Sequence, residues 1–291
     1  MVATTSLALE PLTSTTGARV IELDPRAATD AEIGEIRDAL TNHGVLVFTA
    51  PGMTVDEQVV FTNRFGSPHG HPVSEFLTGT DNHPVSVVEN NADKPPQDDQ
   101  NFHTDYSFNT VIPDLAVLRA EVIPLRGGDT MWSSAEAAYA GLSDLMKGFI
   151  ANLVAVHDAG ERFWFEMDRT LGPDAAAKAR RAFPGATHPV VVAHPYSSRP
   201  LLFVNPGYTT RIVGLRPRES RALLDLLFDQ LNDPAFHYRH RWQPGDVVMW
   251  DEHATVHMGP NDFHPAHRRL TRVTAGRRPP TALLDATPHV S

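Results

Sequence analysis

The apolar runs of this chain are short, and that limits its fold more than any other feature of the sequence. Val45-Leu-Val-Phe48, Val85-Ser-Val-Val-Glu89, Leu115 to Ile123, Leu153 to Val156, Val190 to Val192, Leu201 to Val204, Phe236 to Trp242, Asp246 to Trp250 and Leu270 to Thr274 are each of strand length, and Gly, Pro and Asn punctuate the chain between them. Runs this short, rich in Val, Leu and aromatic residues, read as strands of a jelly roll or barrel. Phe236, Tyr238, His240 and Trp242 alternate with His237, Arg239 and Arg241, which predicts a strand with one covered face. A few helices flank this set. Thr29 to Leu40 carries Ile33, Ile36 and Leu40 at helical spacing, Thr54 and Glu57 make a capping box for a helix reaching Phe65, and Ser133 with Glu136 opens another toward Phe149. Pro217 to Leu231 places Leu223, Leu227 and Leu231 on one stripe. The fold class expected is therefore mainly β with flanking helices.

At 291 residues the chain is long for one domain on a prior of about 150 residues, but all-β barrels of about 250 residues occur as single units. One domain over 17–278 is expected, with Thr/Ser/Ala-rich residues 1–16 and Pro/Thr/Ala-rich residues 279–291 as flexible ends. The formal charge of −10 has the wrong sign for a phosphate-backbone binder, so no nucleic-acid partner is expected. No stretch approaches the roughly 18 apolar residues of a membrane span, and no basic segment precedes a leader-like run, so a cytoplasmic protein without a membrane partner is expected. A homo-oligomer is the expected assembly. With no cysteine, any metal must be held by nitrogen and oxygen, and 15 histidines can supply the nitrogen.

After the polar loop of residues 91–101 comes Phe102-His103-Thr104-Asp105-Tyr106-Ser107-Phe108. An extended backbone there projects His103 and Asp105 to the same side, two-thirds of a 2-His-1-carboxylate facial site for Fe(II). Chance alone yields about two His-x-acid patterns in a chain of this composition, so the context has to carry the reading. That context is Leu125-Arg-Gly-Gly-Asp-Thr-Met-Trp132, then Trp250-Asp-Glu-His-Ala-Thr-Val-His-Met258, then His267-Arg-Arg-Leu-Thr-Arg-Val-Thr274. Arg268 and Arg272, four apart on a strand, point the same way and invite two anions. The plainer readings are a hydrogen-bonded His103–Asp105 pair, a solvated arginine pair, and a zinc site at His253 and His257. The last lacks the Glu of the protease helix and has strand-forming residues between the histidines.

In this order and spacing the residues resemble the taurine dioxygenase family of Fe(II)/2-oxoglutarate oxygenases, whose pattern is His-x-Asp, Thr about 24 residues on, then a distant His and an Arg about ten residues after it. The likeness spans roughly 17–278 and includes Phe65-Gly-Ser-Pro-His-Gly-His-Pro72, Phe203-Val-Asn-Pro-Gly-Tyr-Thr-Thr-Arg-Ile212 and Arg241-Trp-Gln-Pro-Gly-Asp246. It implies a double-stranded β-helix with His103, Asp105 and His257 on Fe(II), O2 as oxidant, and Thr130 and Arg268 on the co-substrate 2-oxoglutarate. It implies also that Arg272 and His71 hold the anionic group of a small substrate, with Tyr106 assisting. The substrate end departs from the family: Ser74 replaces a tyrosine near the taurine amine, Asp99 an asparagine, Tyr208 an aromatic wall residue, and Trp250-Asp-Glu-His253 the common Trp-Asp-Asn-Arg. The resemblance thus implies hydroxylation of taurine or a related alkylsulfonate with release of sulfite and aldehyde. An alkyl sulfate, phenoxyalkanoate or other carboxylate is the alternative substrate, and a metal hydrolase or non-catalytic jelly-roll binding module the alternative outside this chemistry.

Overall fold

The strand Val45–Thr49 is apolar from Val45 to Phe48 because both of its faces are covered there. In the computed structural model, which describes residues 7–78, 84–96 and 101–283, this strand pairs antiparallel with Asp246–Asp251, setting Phe48 opposite Val247 and Leu46 opposite Met249. Leu46 and Phe48 turn toward the helices Asp30–His43 and Val55–Asn63 and share a core with Ile36, Leu40 and Phe61. Val45 and Val47 turn the other way, into a second core with Leu118, Trp132, Trp250 and Leu270. Period-two alternation therefore feeds two apolar layers from one strand.

The large sheet runs Leu9–Pro11, Ala18–Val20, Val45–Thr49, Asp246–Asp251, Leu115–Val122 and Arg268–Ala275, and Pro68–His69 and Val85–Asn90 both pair with the last of these. A smaller sheet, His237–His240, Thr130–Ser134 and Thr255–Met258, faces it across the Trp132–Trp250 core, and together they form the expected jelly roll. Thr209–Ile212, Val154–His157 and Ala186–Pro189 make a third sheet, and Pro200–Leu202, Val191–Ala193 and Thr281–Ala282 a fourth. The helix Pro217–Leu231 buries Leu223, Leu227 and Leu231 in a further core with Val190, Leu202 and Val256. Among the described residues no helix is long and apolar enough to cross a membrane.

Thr54 caps its helix as expected: its hydroxyl accepts the Glu57 N–H at 3.2 Å and Glu57 accepts the Thr54 N–H at 2.7 Å. His237–His240 keeps its alternation, with Tyr238 and His240 buried and Arg239 exposed. Three expectations are corrected. The helix opened by Ser133 starts one residue later, capped by Ser134 on the Ala137 N–H, because the Ser133 hydroxyl is spent on the Leu231 carbonyl; it then ends at Ala140, and Asp144–Ile150 is a separate helix. The N-terminal end is not loose over residues 7–16: Leu9–Pro11 pairs with Ala18–Val20, and Leu7 and Leu9 pack on the first core. Thr281–Ala282 is likewise tied to Val191–Ala193. Three helices were not foreseen, Pro72–Thr78, Gly160–Leu171 and Pro173–Ala182, and Gly160–Leu171 lines the site.

Candidate active site

His103 and His257 are brought together by their backbones. Each N–H donates to the other's carbonyl, at 3.0 and 2.8 Å, so the strand Thr255–Met258 of the small sheet fixes the segment carrying His103. From the other side the Gly207 N–H donates to the Phe102 carbonyl at 3.1 Å, and a Cβ on Gly207 would stand 2.8 Å from the His103 Cβ, which is why glycine is required. The extended run expected through Asp105 stops at Thr104. Asp105 begins a turn in which Tyr106 adopts φ +59°, a region disfavoured for a bulky side chain. That turn sets Asp105 Oδ1 3.7 Å from His103 Nε2 and 3.9 Å from His257 Nε2.

The three residues thus offer one ligand atom each within 4.8 Å of one another. His103 Nδ1 lies 3.0 Å from the Asn101 carbonyl, which can only accept; this assigns the proton to Nδ1 and leaves the Nε2 lone pair for a metal. Burial lowers the pKa of His103 and of His257, the latter well below the usual imidazole range, so both are neutral. Burial pushes Asp105 up, but Arg272, helped by His257 and His103, reverses this and holds it at about 2. Two neutral imidazoles and one carboxylate are the donor set that fits a divalent first-row cation such as Fe(II), with coordination positions left for other ligands.

Arg268 and Arg272 leave Arg268–Ala275 on the same side, as their spacing predicts, and both line one cavity of about 650 Å³ with His103, Thr130, Tyr208 and His257. Arg268 is buried, its Nε donating to the Gly128 carbonyl at 2.8 Å and its Nη2 to the Thr130 hydroxyl at 3.2 Å. Burial lowers its pKa to about 10, which leaves it charged at neutral pH. Thr130 Oγ1 accepts a second bond from Trp242 Nε1 at 3.1 Å, so its own proton is available to another acceptor. The pair forms a fixed cationic and hydroxyl corner.

Arg272, which the resemblance implies holds a substrate anion, lines the cavity and is also paired with Asp105. Its Nη1 lies 2.9 Å from Asp105 Oδ1 and 2.8 Å from Oδ2, and its Nη2 donates to the Tyr106 hydroxyl at 3.3 Å. His71 stacks on Phe163 and meets Tyr106 edge-on; both His71 and Tyr106 stand behind the residues that line the cavity, whereas Tyr208 is on its wall. Burial, then the charge of Arg272, lowers His71 to about 4, and its Nδ1 accepts the Val73 N–H at 3.2 Å, which puts the remaining proton on Nε2. Ser74 sits half-buried on the helix Pro72–Thr78, away from the cavity wall, and Asp99 lies outside the described residues. Trp250 is pocket wall, 4.9 Å from the His257 ring, and Trp132 is core.

Sequence reasoning missed Glu252, fully buried and accepting the Asp105 N–H at 2.9 Å, as well as Trp242, Gly207 and Asn101. For Glu252 a signal existed: it stands where the resemblance breaks, in Trp250-Asp-Glu-His253.

The family description "Taurine catabolism dioxygenase TauD, TfdA family" matches residues 8–274. An alkylsulfatase of Acinetobacter baylyi is 33% identical over 93% of this chain and 85% of its own length. An alpha-ketoglutarate-dependent 2,4-dichlorophenoxyacetate dioxygenase of Cupriavidus pinatubonensis is 30% identical over 92% of this chain and 97% of its own. The crystal structure of AAD-2 in complex with Mn(II) and N-oxalylglycine superposes with a TM-score of 0.81 at 25% identity, covering 95% of this chain and 99% of that one.

Proposed function

Because the chain belongs to the taurine catabolism dioxygenase TauD, TfdA family, we propose that it is an Fe(II) enzyme that uses 2-oxoglutarate and O2 to hydroxylate a small organic anion. The observation that carries this reading is the convergence of two neutral imidazoles and one ionised carboxylate beside a buried arginine–threonine corner in a single cavity. His103, Asp105 and His257 would hold the metal, and Arg268 with Thr130 the far carboxylate of 2-oxoglutarate, also known as alpha-ketoglutarate. Bound iron and 2-oxoglutarate supply the oxidising chemistry, consuming O2 and releasing succinate and CO2. The chain's own part is to orient the co-substrate by charge-assisted hydrogen bonds and to present a substrate C–H to the metal face. Arg272 would offer its charge to the substrate anion while remaining beside Asp105.

The walls favour a carbon-rich tail over the ammonium of taurine. Among the described residues Val88, Leu118, Phe163 and Leu270 line the cavity, and the two carboxylates found there are already engaged, Glu161 with Arg180 and Glu166 with Arg169 at 2.8 Å. We therefore read the substrate as an alkyl sulfate, an alkylsulfonate longer than taurine, or an aryloxyalkanoate. Where the hydroxylated carbon bears the sulfur group, the product collapses to an aldehyde with sulfate or sulfite.

The test is succinate formation from 2-oxoglutarate with Fe(II), O2 and ascorbate, run with an alkyl sulfate series, alkylsulfonates, taurine and phenoxyacetate, with sulfate, sulfite and aldehyde assayed in parallel. Stimulation that rises with apolar tail length is the expected result. Stimulation by taurine alone overturns the tail assignment, and no succinate with iron bound returns the chain to a binding module.

A further inference from the structure

The strand pairing that fixes His103 ends two residues before the second proposed metal ligand is complete. His103 exchanges both of its backbone hydrogen bonds with His257, but Asp105 already lies in the following turn, where its buried N–H has no strand to pair with. Glu252 replaces that strand: its Oε2 accepts the Asp105 N–H at 2.9 Å, across a sequence separation of 147 residues.

Glu252 can serve as a fixed point because the turn that carries it is pinned on every side. It belongs to the connection between Asp246–Asp251 and Thr255–Met258, where residues 251–255 are all buried, unusual for a strand-to-strand turn. Asp251 Oδ1 accepts the N–H groups of His253 at 2.8 Å and Ala254 at 2.9 Å, and its Oδ2 lies 2.9 Å from His194 Nε2. The Thr255 hydroxyl donates to the Asp251 carbonyl at 2.7 Å, and the Glu252 N–H donates to the Asp114 carbonyl at 3.1 Å. The same turn leads directly into the strand of His257, so one rigid element fixes two of the three ligand positions.

We propose that Glu252 is a positioning residue for the metal carboxylate, accepting the Asp105 N–H where strand pairing stops and so setting the direction in which Asp105 presents its oxygens. The inference rests on His103, Asp105 and His257 being a metal centre. It assigns a role to a position at which the chain departs from the common Trp-Asp-Asn-Arg, and Glu252 stands outside both the cavity lining and the His103–Asp105–His257 cluster. Partners of this kind, standing one step behind metal ligands, set affinity by about 10–100-fold.

The experiment is Co(II) titration of the full chain by calorimetry and visible absorption, comparing wild type with Glu252→Ala, Glu252→Gln and Glu252→Asp, with circular dichroism on each. Glu252→Ala is expected to weaken Co(II) binding about 10–100-fold and to alter its ligand-field bands. Glu252→Gln, which keeps an acceptor oxygen at the same reach, should restore both. If Glu252→Ala does not fold, Glu252→Asp decides, since it keeps a carboxyl but falls one methylene short, and it should show the same loss with a native dichroism spectrum. Wild-type affinity and bands in the folded alanine or aspartate variant overturn the inference, and so does a glutamine variant as impaired as alanine. Wild-type protein that takes up no Co(II) overturns the metal-centre reading itself, which separates the two failures.

Discussion

Arg272→Met is the perturbation that most directly tests how Asp105 is kept charged without a metal. The Arg272 guanidinium spans both oxygens of Asp105 at 2.9 and 2.8 Å, and the Asp105 side chain is only 3% exposed. At an effective dielectric of about 20, charges at that separation attract by roughly 6 kcal/mol, much of it offset by desolvation of the two groups. Removing one partner leaves the other charge buried alone, which costs about 3–5 kcal/mol. For a chain of this size that lowers Tm by roughly 10 °C, at about 2–4 °C per kcal/mol. A divalent cation on Asp105 supplies positive charge from another direction, so saturating Mn(II) should return at least half of the lost Tm. Because the Asp105 pKa is depressed to about 2, the contribution is complete above about pH 4 and is lost as the pH falls toward 2; neutral pH is the right condition. The assay is thermal unfolding of EDTA-treated and Mn(II)-saturated protein for wild type and variant. A drop of the same size with and without Mn(II) would refute the reasoning, because the pair would then be structural and unconnected to the metal carboxylate.

Gly207→Ala forces a Cβ to within 2.8 Å of the His103 Cβ, close to the backbone, where neither atom can swing aside. It should cost about 1–3 kcal/mol in thermal unfolding and weaken Mn(II) binding in parallel, and wild-type Mn(II) affinity would contradict the assigned packing. Arg268→Ala should weaken 2-oxoglutarate binding about 10–100-fold, the worth of a charge-assisted hydrogen bond of about 1.5–3 kcal/mol, while Arg272→Ala leaves it near wild type. Equal losses measured by calorimetry on Mn(II)-loaded protein would overturn that division. His71 is neutral in the fold, with a pKa lowered to about 4 by burial and Arg272, against about 6.5 when unfolded. The unfolded state therefore binds the extra proton, and the stability this residue contributes is full above about pH 6.5 and lost as pH falls through 4, by roughly 3 kcal/mol. Urea unfolding of wild type and His71→Asn across pH 4–7 should show that difference in slope, and parallel curves would exclude it.

What could be read of the fold followed how local its cause was. The Thr54–Glu57 box is closed within one turn of helix, and it is found where the sequence places it. Ser133 and Glu136 look the same in sequence, yet the Ser133 hydroxyl belongs to the Leu231 carbonyl 98 residues away, so the cap moves to Ser134. Residues 7–16 read as a loose end because their composition is that of one; their strand exists only because Ala18–Val20 offers an edge and the first core offers a seat for Leu7 and Leu9. The helix Gly160–Leu171 hides its pattern because Phe163, Trp164 and Phe165 are consecutive: Trp164 is buried, Phe163 lines the cavity, and Phe165 is exposed.

The site divides along the same line. His103, Asp105, Thr130, His257, Arg268 and Arg272 could be found because each must be one residue type for a chemical reason, and strand periodicity then decides which face it takes. Periodicity does not decide what a side chain touches once it is there. Arg268 and Arg272 share a face and a cavity, yet one closes on Gly128 and Thr130 and the other on both oxygens of Asp105. Glu252, marked in sequence only by the break in the resemblance, and Gly207 and Asn101 went unseen because they act on the backbone or the proton position of other residues: an acceptor for the Asp105 N–H, a missing Cβ beside His103, and a carbonyl that fixes the His103 tautomer. Such roles have no fixed spacing from the residues they serve, so they become visible only when the segments that meet at His103 and His257 are set side by side. It follows that a substitution at His103, Asp105 or His257 should abolish metal binding outright, whereas one at Glu252, Gly207 or Asn101 should shift metal affinity and geometry by degrees.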